Sequence, residues 1–429
     1  MLGDKRFLRT IKLRNILSFG PFTPEFELQS LNVLVGPNGA GKSNLIEAVS
    51  LLQAAPVSFL EPVRAGGGIS KWLWKGEPVY PREISLSAPQ VGGQSMAEIS
   101  DQIAGRPRAE IDVTVSYPQG KIPLRHRLKF SIVGQRAQLI DEAIENERPN
   151  SLGEPDVDFY YRYQNGHPVL SVKTDDPSSD GRALRELGRK DLALDQSIVS
   201  QRKDPDQYPE VTYLGNEYGK IRLFREWNLG RNTQPRRPQP TDLSGDFLRE
   251  DAANIALVLN DLEHRSNLRA SLVERLRDAD ESIIDFSTKV LGGTIQLFLH
   301  YSGLRSPVPA TRLSDGTVRY LCLLAVLCHP EPPPLVCLEE PELGLHPDLL
   351  PRLADLLVAA SHRMQLIVTT HSDVLVDGLT KVPEAVVVCE KRNGSTTMSR
   401  RTGPELASWL KDYGLGQLWR RGEIGGNRW

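Results

Sequence analysis

Four short stretches hold the side chains most suited to chemistry in this chain of 429 residues: "GPNGAGKS" at 36–43, "LSDGT" at 313–317, "LEEPELGLHP" at 338–347 and "TTHS" at 369–372. The first has the spacing G-x-x-x-x-G-K-[ST], a glycine loop whose backbone N–H groups and following helix start meet phosphate charge. Asn38, Gly39, Ala40, Gly41, Lys42, Ser43 and Asn44 are the candidate phosphate cradle. In it Lys42 is expected to reach the β and γ phosphates and Ser43 to ligate Mg²⁺. Glu339 and Glu340 close a buried apolar run, where adjacent carboxylates are costly unless a metal or a proton offsets their repulsion. Glu339 suits the Mg²⁺ shell and Glu340 a general base that polarises the attacking water. His371 ends the next apolar run and is placed to sense a γ phosphate. Ser314, Asp315, Gly316 and Thr317 precede a long apolar helix, so free N–H groups and a hydroxyl form a second phosphate-binding turn.

These groups need a scaffold that brings strand ends to one edge. "LNVLVG" reads as a short buried strand before the glycine loop, and "KSNLIEAVSLLQAA" has helical spacing after it. "PLVCLEE", "MQLIVTT" and "AVVVCE" read as further strands separated by helical stretches, the rhythm of a parallel sheet with crossover helices. From about Ile84 to Val172 the pattern changes to strict alternation, as in "AEIDVTVSY", with Asn165-Gly166 as a hairpin turn, which predicts an antiparallel sheet. Residues 173–208 read as a polar surface excursion, and "DFLREDAANIALVLNDL" and "SNLRASLVERLRDADESIIDF" as two amphipathic helices. The expected class is α/β. It comprises an N-terminal lobe over 1–215 with the phosphate loop and β-rich insertion, a helical and basic insertion over 216–310, and a C-terminal lobe over 311–429.

Composition is that of a globular protein, 39% hydrophobic and 25% charged, and a net charge of -2 argues against a generally basic coat for nucleic acid while leaving room for local basic patches. Cys322, Cys328, Cys337 and Cys389 sit in apolar segments without zinc or redox spacing, so they are expected to be inert core thiols in a reducing compartment. The start "MLGDKRFLRTIKL" has no signal-peptide core, and no apolar run approaches a membrane span. A cytoplasmic protein without a membrane partner is expected.

Taken in order, the four motifs resemble those of ABC-type ATPase heads of the SMC, RecF and Rad50 superfamily. They are most similar to the AAA_21 group and to the ATPase half of overcoming-lysogeny nucleases. The resemblance covers about residues 7–55 and 240–420. It implies an ABC-type P-loop ATPase head that binds ATP and Mg²⁺, with Glu340 as catalytic base and His371 as switch histidine. Ser314 and Gly316 would belong to the signature motif, which reaches the γ phosphate held by the facing subunit of a homodimer whose heads sandwich ATP. "PELGLHP" matches the loop that meets that subunit. Glu339 stands where most ABC ATPases carry aspartate, Asp315 replaces the first signature glycine, and Gln53 is a weak candidate for the glutamine loop. No cluster of metal-binding acids follows His371, so any nuclease or other effector is expected to act in trans.

"KIRLFREWNLGRNTQPRRPQP" interleaves Lys220, Arg222, Arg225, Arg231, Arg236 and Arg237 with Phe224 and Trp227. Three readings stay open: a nucleic-acid surface, arginines paired elsewhere with the aromatics in the core, or arginines lining the nucleotide site. The tail, with Trp419 and Trp429, either docks on its own body or offers a partner surface. The functional expectation is a DNA-associated or sensor ATPase in repair or antiphage defence, with a separately encoded effector. The ATPase subunit of a membrane transporter and a stand-alone nucleotidase are the alternatives.

Overall fold

The computed structural model describes residues 5–76, 108–133, 136–150, 156–164, 167–174, 181–188 and 192–426. The predicted turn at Asn165-Gly166, the residues from Ile84 to 107 and Trp429 lie outside them. At the centre is a six-stranded sheet of β3 (Leu31–Val35), β10 (Arg222–Phe224), β15 (Leu335–Glu339), β16 (Gln365–Thr369), β17 (Val386–Arg392) and β18 (Ser395–Arg400). Their order is β10-β15-β16-β3-β17-β18, parallel throughout except for the edge strand β18. Alternation assigns the two faces. Val33, Val35, Val336, Leu338, Leu366 and Val368 enter one core, while Leu34, Leu335, Cys337, Ile367 and Cys389 enter the other. A strand apolar on both faces must be covered on both. α1 (Lys42–Ser58) packs into the second core, and α5 (Asp315–Leu327) and α6 (Leu350–Ala360) into the first.

The alternating segments form an eight-stranded antiparallel sheet. It comprises β1 (Leu8–Arg14), β2 (Phe26–Glu27), β4 (Arg108–Val115), β5 (Leu124–Val133), β6 (Arg136–Asn146), β7 (Phe159–Gln164), β8 (His167–Lys173) and β9 (Arg182–Glu186), in the order β2-β1-β4-β5-β6-β7-β8-β9. The expected surface excursion therefore contributes an edge strand, β9. The buried Gln365 carboxamide in β16 joins the two sheets: it accepts from the N–H groups of Phe7 and Leu8 (3.1 and 2.8 Å) and donates to the carbonyls of Leu8 and Gln29 (2.7 and 2.9 Å). On α2 (Pro209–Lys220), the Tyr218 hydroxyl meets His126 of β5 at 3.1 Å, and His126 meets Glu142 of β6 at 3.1 Å, all three buried.

The region 216–310 is not wholly helical. α3 (Ile255–His264) and α4 (Ser266–Ala279) are present, but "DESIIDF" is not the end of a helix. The Asp280 side chain accepts from the N–H of Ser282 (2.9 Å), turning the chain into the hairpin of β12 (Ile283–Leu291) and β13 (Thr294–Tyr301). Gly292 and Gly293, at φ 55° and 77°, make its turn, with β11 (Gln239–Pro240) and β14 (Val308–Pro309) at its flank. Downstream, α7 (Asp373–Asp377) follows β16, and α8 (Leu415–Arg420) follows β18. Trp419 is buried in the core, so this part of the tail docks on its own body. Among the described residues no helix is long and apolar enough to cross a membrane. Cys322, Cys337 and Cys389 are buried and Cys328 is half-buried.

Candidate nucleotide site

The glycine loop leaves β3 and enters α1. Gly36, Gly39 and Gly41 take φ of 147°, 80° and 97°, values that side chains resist. The loop is also hemmed in. A Cβ on Gly36 would lie 2.2 Å from the Cys389 carbonyl oxygen, and one on Gly41 2.1 Å from Thr396 Oγ1. Thr396 donates its hydroxyl to the Ala40 carbonyl at 2.9 Å. Lys42 folds back over the loop and donates to the carbonyls of Gly36 (2.8 Å) and Pro37 (3.2 Å). Burial lowers the pKa of its ammonium, while Cys389, Glu340, Glu339 and Glu342 pull it upward. The lysine charge is thus held among three carboxylates. Asn38, Gly39 and Ser43 are exposed, Asn44 is half-buried and Ala40 is buried.

The carboxylates stand at the C-terminal edge of the parallel strands, where ligands of open α/β sheets bind. Glu339 closes β15 in register with Thr369 of β16. Glu340 has φ 45°, an uncommon conformation for a side-chain-bearing residue. Its N–H donates to the Thr369 carbonyl (3.1 Å) and lies 3.2 Å from the Thr369 hydroxyl. That turn brings Glu340 Oε1 to 3.7 Å from His371 Nε2. Burial, followed by the Lys42 charge, lowers the His371 pKa below 6.5, against the pull of Glu340 and Glu342. The free imidazole is therefore neutral at pH 7.

Glu342 is a site residue that the sequence did not single out. Its Oε1 accepts from the Thr370 hydroxyl (2.5 Å) and the His371 N–H (2.9 Å), fixing the backbone of the histidine loop. Its Oε2 is buried with no partner among the described residues. The only available signal was its place two residues after Glu340.

Ser314 caps α5. Its Oγ accepts from the Thr317 N–H (3.0 Å) and lies 2.7 Å from the Thr317 hydroxyl. A Cβ on Gly316 would sit 2.6 Å from the Gly344 carbonyl oxygen, so glycine lets this turn pack against the loop after the glutamates. Beneath the turn lies Arg236, 1% exposed. Its guanidinium donates to the carbonyls of Leu229 (2.6 Å), Ala310 (3.2 Å) and Leu313 (2.5 Å) and pairs with Asp315. Arg236 is therefore no nucleic-acid contact but a strut of the LSDGT turn. Phe224 is buried, with Trp227 packed on it at 5.4 Å between ring centroids. Arg225 lines a small cavity beside Glu339 with Trp227 and Arg319. Only Arg231 and Arg237 keep exposed positions among the five arginines of the stretch. Gln53 does not serve as a glutamine loop. It lies about 16 Å along α1 from Lys42 at 1.5 Å per residue, and its amide donates to the Ile221 carbonyl (2.9 Å) and Glu250 (2.6 Å).

A glycine loop between a parallel strand and a helix, with carboxylates and a histidine on the neighbouring strand ends, defines a P-loop ATPase head of the ABC type found in SMC, RecF and Rad50 proteins. Residues 31–85 and 140–377 match the family described as "AAA domain, putative AbiEii toxin, Type IV TA system", and the chain belongs to that family. It is 36% identical over 90 residues to the chromosome partition protein Smc of Gloeobacter violaceus; the match takes in 20% of this chain and 8% of that protein's length. The fold is similar to an Smc head bound to the C-winged helix domain of ScpA, with TM-score 0.52, 14% identity, and 92% and 98% of the two chains covered. It is equally similar to an Smc head with an extended coiled coil bound to the C-terminal domain of ScpA, derived from Pyrococcus furiosus (TM-score 0.52, 14% identity, 95% and 99% covered).

Proposed function

We propose that this ATPase head hydrolyses ATP with Mg²⁺ between two copies of the chain, each supplying half of every site. The observation that carries the chemistry is the Glu340–His371 pair at 3.7 Å, on strand ends beside the buried Lys42. Lys42 and the N–H groups of residues 38–44 hold the β and γ phosphates. Glu340 takes a proton from the attacking water as its oxygen bonds to the γ phosphorus and the bond to the β–γ bridging oxygen breaks, leaving ADP and phosphate. His371 donates a hydrogen bond toward the γ phosphate. The donors available to a magnesium ion are the exposed Ser43 hydroxyl and the Glu339 carboxylate, hard oxygen ligands of the kind it takes alongside phosphate and water. No group of three or more His, Cys, Asp or Glu suited to a metal occurs among the described residues, so an all-protein cage is not on offer. When bound, the ion neutralises phosphate charge.

The exposure of Ser314 at the start of α5 supports a role for Ser314 and Gly316 in completing a neighbour's nucleotide shell. We place the resulting ATP-gated homodimer in the cytoplasm, in DNA repair or antiphage defence, working with a separately encoded effector such as a nuclease. DNA contact would fall to Arg231 and Arg237. The test is phosphate release by the wild type against Glu340→Gln, with Mg-ATP titrated into both. Loss of turnover with binding retained supports the assignment, and turnover near the wild-type rate refutes it.

A further inference from the structure

The segment from Gly414 to Gly426 runs from the helix that follows His371 to the flank of the phosphate loop. At one end α8 lies on α7, the helix that begins two residues after His371. The N–H of Gly416 donates to Asp377 (3.1 Å), that of Leu415 to the Thr380 hydroxyl (3.0 Å), and Arg420 pairs with Asp373 (3.2 Å). The approach is backbone-close: a Cβ on Gly416 would lie 2.0 Å from the Asp373 carbonyl oxygen. At the other end, with Ile424 buried, the chain crosses β17. There the Gly426 N–H donates to Glu390 Oε1 (3.0 Å) and Trp419 Nε1 donates to the Gly426 carbonyl (3.4 Å). A Cβ on Gly426 would stand 3.5 Å from the Cα of Gly36, where the phosphate loop begins.

We propose that residues 414–426 are a positioning clamp that fixes the phosphate loop relative to the His371 loop, governing nucleotide affinity at one end and turnover at the other. The proposal rests on the ATPase reading above. Both loops must grip the same triphosphate, and catalytic groups tolerate only about 0.5 Å of misplacement. A peptide that lies beside Gly36 at one end and packs on the helix after His371 at the other can hold each loop at its own end.

Three full-length variants separate a clamp from general stability. Glu390→Ala removes the acceptor for Gly426, together with the exposed pairing to Arg392 (2.7 Å), and should weaken Mg-ATP binding about five-fold, the worth of the Gly426 hydrogen bond, with kcat unchanged. Glu390→Gln keeps an oxygen acceptor there and should restore the affinity. Gly416→Ala forces α8 away from α7 and should lower kcat about ten-fold or more with affinity unchanged. Calorimetric titration, steady-state phosphate release and Tm are read on each protein, with Lys42→Ala alongside. If both Ala variants keep wild-type affinity and kcat, or if both constants fall together in step with Tm, the clamp is refuted. A wild type that binds no Mg-ATP refutes the ATPase reading and the clamp with it, whereas normal binding with no split between the variants refutes the clamp alone.

Discussion

At the scale of the residue, the proposed hydrolysis gives Glu340 and His371 different tasks that different substitutions separate. Glu340→Gln keeps the shape but cannot accept a proton, so hydrolysis should fall by roughly 10² to 10⁴ while Mg-ATP still binds. Lys42→Ala should do the reverse, losing most of the affinity while the fold persists; calorimetry on the folded protein checks it. For His371 the prediction concerns protonation. Its pKa lies below the ordinary 6.5 because burial and then Lys42 disfavour the cation. The folded state therefore binds fewer protons than the unfolded chain below pH 6.5. Its contribution to stability is fully present above that pH and is lost as pH falls toward the folded pKa. An NMR titration of the nucleotide-free protein should place the imidazole midpoint below 6.5, and a midpoint at or above it contradicts this electrostatic picture. The positions of these residues were legible because motif, strand and helix coincide in the sequence. Glu342 was not, since a carboxylate that orients a neighbouring loop has no spacing of its own.

At the scale of the element, Arg236 shows why a basic stretch cannot be interpreted from charge alone. Beside Arg231 and Arg237 it looks like part of a cationic surface, yet its side chain is enclosed by three carbonyls and Asp315 beneath the turn that starts α5. Arg236→Ala should destabilise the fold by about 2–4 kcal/mol, because a cavity opens and buried carbonyls lose their donor. Paired Arg231→Ala and Arg237→Ala substitutions should stay within about 0.5 kcal/mol. Denaturant unfolding of the two proteins decides between strut and surface. Equal stabilities would overturn the buried role. The β-rich sheet was legible from alternation, since a sheet with one core face enforces period two. The β12–β13 hairpin was missed although Gly292-Gly293 between alternating runs is a hairpin signal; the helical spacing running in from α4 outweighed it. β10 is three residues long, too short for any periodicity, and only its pairing with β15 reveals it.

At the scale of the whole molecule, the central sheet draws β3 from the first part of the chain and β15, β16 and β17 from the last, so the nucleotide site exists only once distant segments meet. The phosphate loop, carboxylates and histidine assemble on strand ends, whereas the Ser314 turn is exposed and makes its hydroxyl contacts within itself. Two copies facing head to tail would supply what each lacks, and ATP would favour the closed pair by its differential affinity. One mixing experiment tests this directly. Lys42→Ala and Ser314→Arg chains should each be inactive alone. In a mixed dimer one site carries both lesions and the other carries neither. Combining equal amounts should therefore restore up to about a quarter of the wild-type rate of phosphate release, since half of randomly formed two-fold dimers are mixed and each has one intact site of two. Restored hydrolysis on mixing is the result predicted here, and two folded variants that stay inactive together, or a Ser314→Arg protein that hydrolyses ATP normally alone, would contradict it.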